Sequence, residues 1–177
     1  MVTLVLIALV VFAGVIYILF FIDPSEVQKR NNTPAATALI IDNPEQSFTD
    51  LEGNQKNVNE HFGKIIVVTS WASWCPQCKE GIEKLGPVAT DYKERDVVVL
   101  AVNRAEDRYT AERYLSTITT PPDVEIVLDP SDYYFKASTG YAMPETIIYT
   151  EDGEIALHQR GNINTDEVRA KLDELLK

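Results

Sequence analysis

Residues 64–80 read KIIVVTSWASWCPQCKE. Ile65 to Trp71 is an unbroken apolar run of strand length, the pattern of a strand buried on both faces. From about Pro76 the composition turns helical, with Ile82, Leu85, Ala89 and Tyr92 recurring on one side at helical spacing. Cys75 and Cys78 therefore lie where a central strand ends and a helix begins. Open α/β sheets place functional groups at that edge. Three residues span about one helical turn, so with Cys75 at the N-cap or in the first turn the two sulfurs come close enough to bond. A helix N-terminus stabilises negative charge, which favours the Cys75 thiolate. In motifs of this type thiol pKa values fall to roughly 3.5–7.5. Pro76 suits the first helical position, where no N–H is needed.

Outward from this stretch, short β-rich runs alternate with helical patterns, which predicts an α/β sheet. Phe48 to Gly53 reads as a strand meeting a turn. Val97 to Val102 is a second central strand, Ala105 to Ile118 a helix, and Glu125 to Leu128 a further strand. Glu145–Thr150 and Glu154–Gln159 flank an Asp152-Gly153 turn as a hairpin. Asn164, with Glu167 three residues on, opens the last helix in the manner of a capping box. Val168, Leu172, Leu175 and Leu176 give that helix its core face. Gly86-Pro87 is expected to kink or interrupt the helix that follows the cysteines.

The chain has 177 residues, 16 of them Lys or Arg and 27 Asp or Glu, for a net charge of −11. That balance excludes a nucleic-acid binder, which needs a basic stripe against phosphates, and a polybasic membrane-surface protein. Two cysteines are too few for a disulfide scaffold. Three bland readings of the pair compete with redox chemistry. Half a zinc site lacks its other ligands, since no second C-x-x-C exists and His61 and His158 are lone and distant. A structural disulfide across so short a loop stabilises little. An inert thiol pair does not account for the apolar strand before it or the proline within it. A C-x-x-C near a strand–helix pattern reads as a redox motif.

Met1 to Ile22, MVTLVLIALVVFAGVIYILFFI, carries no charge. As a helix it spans roughly 33 Å, enough for a bilayer core. Tyr17, Phe20 and Phe21 suit an interfacial belt. A cleavable signal peptide has a shorter apolar core, a basic start and a small-x-small site, none of which is present. Residues 1–22 are thus expected to be an uncleaved transmembrane anchor, 23–44 a polar, proline-punctuated linker, and 45–177 one domain. Asn31-Asn32-Thr33 is a weak sequon match. Lys29 and Arg30 follow the span, so a literal positive-inside count puts the C-terminal part in the cytoplasm.

WASWCPQC with its preceding strand resembles a thioredoxin-fold dithiol site, and more narrowly the membrane-anchored TlpA/ResA/CcmG (DsbE) branch of thiol-disulfide oxidoreductases. The resemblance covers nearly the whole chain: the anchor, DLEGNQKNVNEHFGK, the dithiol, VVVLAVN and GYAMPETIIYTEDGEI. It implies a three-layer α/β/α fold with a central mixed sheet and an extra helix and strand before the late proline. It implies Cys75 as nucleophile, Cys78 as resolving thiol and Pro144 as a cis-proline facing them. Trp74, Pro76 and Met143 would contact substrate, with backbone beside Pro144 left to pair with a substrate strand. The redox-active disulfide would need no other cofactor and no metal. Partners would be protein dithiols and disulfides, apocytochrome c among them, and a membrane electron donor. Against the positive-inside count, the resemblance puts the domain outside the cytoplasm, in the periplasm or at the cell surface.

Three departures stand out. The branch usually carries a Glu three residues after the second Cys, where this chain has Gly81. The acid buried beneath the dithiol of plain thioredoxins is matched by Thr69. Glu80 and Glu83 lie near Gly81 but are expected on a solvated face, so the acceptor for the Cys78 proton is open. A proline that kinks the helix in family members sits at the position of Glu83, a role left here to Pro87. A rival of another class is a copper-delivery protein of the same fold, with soft Cys and Met143 ligands. Its relatives use C-x-x-x-C and a distant His. A thiol peroxidase lacks its P-x-x-x-T-x-x-C pattern.

Overall fold

In a computed structural model, residues 48–56 and 58–177 are described. The anchor expected at 1–22 and the linker at 23–44 lie outside them. Among the described residues no helix is long and apolar enough to cross a membrane.

Seven strands form one mixed sheet: β1 Phe48–Thr49, β2 Gln55–Lys56, β3 Ile65–Trp71, β4 Val97–Arg104, β5 Glu125–Asp129, β6 Glu145–Tyr149 and β7 Ile155–Arg160. Their order is β2-β1-β5-β4-β3-β6-β7. β3, β4 and β5 run parallel, in register Ile65 with Val97 and Leu100 with Glu125. β6 returns antiparallel along β3, pairing Ser70 with Glu145. Every residue of β3 is buried, as its continuous apolar run predicts. Full burial of each Ile or Val in it contributes about 1.5–3 kcal/mol.

Four helices connect and cover the strands: α1 Cys78–Tyr92, α2 Arg108–Leu115, α3 Tyr133–Ala137 and α4 Thr165–Leu175. One sheet face meets α1, α2 and α4 in a core that includes Val67, Trp71, Ile82, Leu85, Ala111, Val168 and Leu172. The other face packs Val68, Leu100, Val102 and Ile147 with Tyr134 of α3.

Four sequence expectations are corrected. The helix after the cysteines begins at Cys78, with Gln77 as its N-cap, and not at Pro76. Cys78 N–H donates to the Cys75 carbonyl at 3.2 Å, and Gln77 has φ −81° and ψ −13°. Those angles belong to position i+2 of a type I turn, which puts Pro76 at i+1, where its fixed φ is favoured. Second, of the kink or interruption expected at Gly86-Pro87, the interruption does not occur: α1 runs through Pro87. Its buried face, Ile82, Leu85, Val88, Ala89 and Tyr92, outweighs one lost backbone bond. Third, α2 is shorter than Ala105–Ile118. Ala105 is left-handed at φ 57° and Asp107 caps Thr110 N–H. At the far end the Ser116 and Thr117 hydroxyls take the Arg113 and Tyr114 carbonyls. Fourth, Asn164 caps Glu167 N–H, but Glu167 does not reach back as in a capping box. Its carboxylate accepts from Gln159 Nε2 at 2.6 Å, and Gln159 Oε1 accepts from Asn164 N–H at 3.0 Å.

Candidate active site

The site is built where β3 ends and β6 begins. Past Trp71 the chain turns, with Cys75 N–H donating to the Ala72 carbonyl at 3.1 Å. Cys75 and Cys78 are joined in a disulfide, with Cα atoms 5.4 Å apart. Cys75 is 2% exposed and Cys78 fully buried. Gln77 makes no side-chain cap bond, so the positive end of α1 is left to the sulfurs. Trp74 is 60% exposed, and Pro76 is exposed too.

The second half arrives from β6. The Met143–Pro144 peptide is cis. Met143 packs on the core cluster that contains both cysteines. A Cβ placed on Gly81 would lie 3.6 Å from Pro144 Cγ, so the proline ring covers the first turn of α1. The structure thus brings Cys75, Cys78, Met143 and Pro144 together, with Trp74 and Pro76 at the surface beside them. The Pro144 carbonyl accepts from Gly161 N–H at 2.8 Å. That carbonyl is therefore not part of the backbone edge expected to pair with a substrate strand.

On the sheet face of Val67 and Ile148, Thr69 and Thr146 share a hydroxyl hydrogen bond of 3.0 Å. Glu80 pairs with Lys84 at 2.7 Å, and Glu83 lies 4.0 Å from Lys79. Both glutamates thus sit on the solvated face of α1. The buried carboxylates Asp129, Asp132 and Glu145 are elsewhere. Asp129 and Glu145 alternate with Leu128 and Thr146 along their strands, which sets them on the sheet face of Val127 and Ile147, opposite α1.

Sequence reasoning missed Glu106. Its Oε2 accepts from Ser73 N–H at 3.0 Å and from Asn103 Nδ2 at 2.7 Å, and its Oε1 accepts from the Ser73 hydroxyl at 2.5 Å. It ties the loop before Cys75 to the end of β4. The only signal was an acidic residue just past a central strand. Among the described residues, no group of three or more His, Cys, Asp or Glu could hold a metal ion.

A buried Cys-x-x-Cys disulfide at the C-terminal end of a central parallel strand, beside a cis-proline loop, defines a thioredoxin-fold redox protein. The Redoxin family matches residues 29–176, and the chain belongs to that family. It is 25% identical over 134 residues to the thiol-disulfide oxidoreductase ResA of Geobacillus kaustophilus (strain HTA426), covering 75% of each chain. It is 30% identical over 105 residues to the thiol:disulfide interchange protein DsbE of Tatumella citrea, covering 59% of this chain and 54% of that one. Among solved structures, the exposed lipoprotein thioredoxin Etrx1 of Streptococcus pneumoniae strain TIGR4 superposes with a TM-score of 0.65 at 19% identity, over 73% of this chain and 98% of that one. StoA of Bacillus subtilis gives 0.58 at 20% identity, over 71% and 94%. These likenesses confirm the thioredoxin-like α/β fold. The Redoxin match and the ResA and DsbE relatives make the chain a thiol-disulfide oxidoreductase.

Proposed function

We propose that the protein is a membrane-tethered reductant of protein disulfides outside the cytoplasm, with haem-site cysteines of apocytochrome c among its substrates. The observation that carries this reading is the Cys75–Cys78 disulfide set beside Met143 and Pro144. In the reduced form the Cys75 thiolate attacks one sulfur of a substrate disulfide. That S–S bond breaks, a mixed disulfide forms, and the departing substrate thiolate takes a proton. Cys78, deprotonated, then attacks Cys75 Sγ, releases the second substrate thiol and leaves the enzyme oxidised. The structure holds this oxidised state, which a membrane electron donor would return to the dithiol.

Supporting the tether is the uncharged run Met1 to Ile22. The reading predicts that carbonate-washed membranes retain the full-length chain, and a soluble form starting beyond Ile22 overturns it. Direction is tested by the midpoint potential of Cys75–Cys78 in a dithiothreitol or glutathione buffer. A reductant falls near or below about −200 mV, whereas about −120 mV, the value of a strong oxidant of this fold, overturns the reducing assignment.

A further inference from the structure

Two aromatic rings stand out at the site, one on each of the loops that build it. Trp74 precedes Cys75 and is 60% exposed; Tyr141 opens the Met143–Pro144 loop and is 77% exposed. Each lies near a guanidinium. Arg104 Cζ is 5.9 Å from the Trp74 ring centroid, and Arg160 Cζ is 4.8 Å from that of Tyr141. Each arginine is in turn held by a buried carboxylate. Asp132 accepts from Arg104 Nε and an Arg104 terminal nitrogen at 2.8 and 2.7 Å. Glu145 Oε1 takes Arg160 Nε at 3.0 Å and His158 Nε2 at 2.6 Å, and its Oε2 accepts from Tyr141 N–H at 3.2 Å.

The two arms share one support. Arg104 Cζ sits 3.5 Å from the Phe135 ring centroid. A Cβ on Gly140 would come within 2.6 Å of both Phe135 and Glu145 Oε2. Only a glycine lets the start of the Tyr141 loop pass between them.

We infer that Tyr141 supplies a second ring to the substrate contact already expected of Trp74, the two forming a clamp for the substrate polypeptide with Arg160 and Arg104 as positioning residues. This rests on the thiol-disulfide exchange reading and specifies its substrate: an extended segment with apolar side chains beside its cysteine. Both arginine charges are neutralised by carboxylates, so the rings offer apolar faces and no net positive charge for an acidic peptide. Rings fixed before binding lose little entropy on contact, and exposed Trp and Tyr are the residue types that dominate interfaces.

The test uses the full-length chain, reduced and then freed of reductant, in single-turnover reactions with insulin as protein disulfide and DTNB as a small disulfide that cannot span the rings, KM and kcat being read as the half-saturation concentration and the limiting rate. Tyr141→Ala should raise KM for insulin roughly threefold to tenfold, the span of one aromatic contact, with kcat falling by less. The rate with DTNB should fall by less than KM rises. Arg160→Met should do the same. The double variant should stay within about twofold of Tyr141→Ala alone, because the arginine acts through the ring. Arg160→Lys, charged but not planar, should fall between wild type and Arg160→Met. Trp74→Ala and Arg104→Met form the parallel pair. If Arg104→Met or Arg160→Met strands its buried carboxylate and fails to fold, Tyr141→Ala, whose ring is 77% exposed, decides alone by its KM for insulin against its rate with DTNB. An unchanged KM in Tyr141→Ala, multiplying effects in the double variant, or equal losses on insulin and DTNB overturn the clamp. A wild type that reduces neither substrate overturns the exchange reading itself.

Discussion

Glu106 holds Ser73 by both its amide and its hydroxyl, one carboxylate oxygen to each. Two residues later comes Cys75, so a side chain just past the end of β4 sets where the dithiol loop leaves the sheet. Glu106→Ala removes three hydrogen bonds and strands the buried Asn103 amide. The expected loss is about 1–3 kcal/mol of stability, with slower insulin reduction. Urea unfolding and a turnover assay on the same preparation check it; wild-type values in both would show that the loop is held by something else.

The cysteines should divide the labour. Cys75 lies just ahead of the helix start and Cys78 is fully buried at its first position. After reduction, iodoacetamide should label Cys75 first. Cys78→Ser should accumulate a mixed disulfide with substrate, whereas Cys75→Ser should accumulate none. Equal trapping by both variants is the contrary result.

Two glycines of α1 should respond in opposite directions to the same methyl. At Gly81 a Cβ meets the Pro144 ring at 3.6 and 3.8 Å, ordinary contact. Gly81→Ala should therefore gain about 0.5–1 kcal/mol from helix propensity. At Gly86 a Cβ would sit 2.7 and 2.8 Å from the Pro121 ring, a rigid neighbour. Gly86→Ala should cost about 1–3 kcal/mol. Thermal unfolding of the pair gives both signs at once.

Glu125 should make the domain acid-sensitive. The His61 ring first, then the Lys56 ammonium at 2.8 Å, hold its carboxyl at about 2, against the opposing pull of burial. A carboxyl depressed in the folded state stabilises fully above its unfolded pKa, near 4.5, and loses that contribution as pH falls toward 2. Wild type should thus exceed Glu125→Gln in Tm at pH 6, and the gap should close between about pH 4.5 and 2. A gap that stays constant over that range contradicts the assignment.

Much of this architecture was legible because single residues obeyed single rules. The run Ile65 to Trp71 is buried on both faces as its composition demands. Gly153 takes φ 79° in the turn where Asp-Gly was expected. What escaped was non-local. Five-residue α3 is too short to show a period, yet it is anchored by the Asp129 carboxylate at Tyr134 N–H, 2.8 Å away. No motif or spacing in the sequence marks Glu106, Arg104 or Arg160. Their roles come from partners such as Ser73, Asp132 and Glu145 that only the folded sheet brings near. Pro76 reads as helical from sequence because proline suits both a first helical turn and a type I turn, and spacing alone does not separate them.

The β3–β6 pairing has a consequence for synthesis. Ser70 lies opposite Glu145, so the dithiol leaves the ribosome well before the Met143–Pro144 loop. The interval is roughly 70 residues, or on the order of 4–14 s at ~5–20 residues per second. Cys75 and Cys78, close in sequence, can meet within that time, but Pro144 has not yet arrived to pack over Gly81. A newborn chain therefore carries its reactive sulfurs before it carries the loop that completes their site. Thiol chemistry with bystanders is most open to it in those seconds.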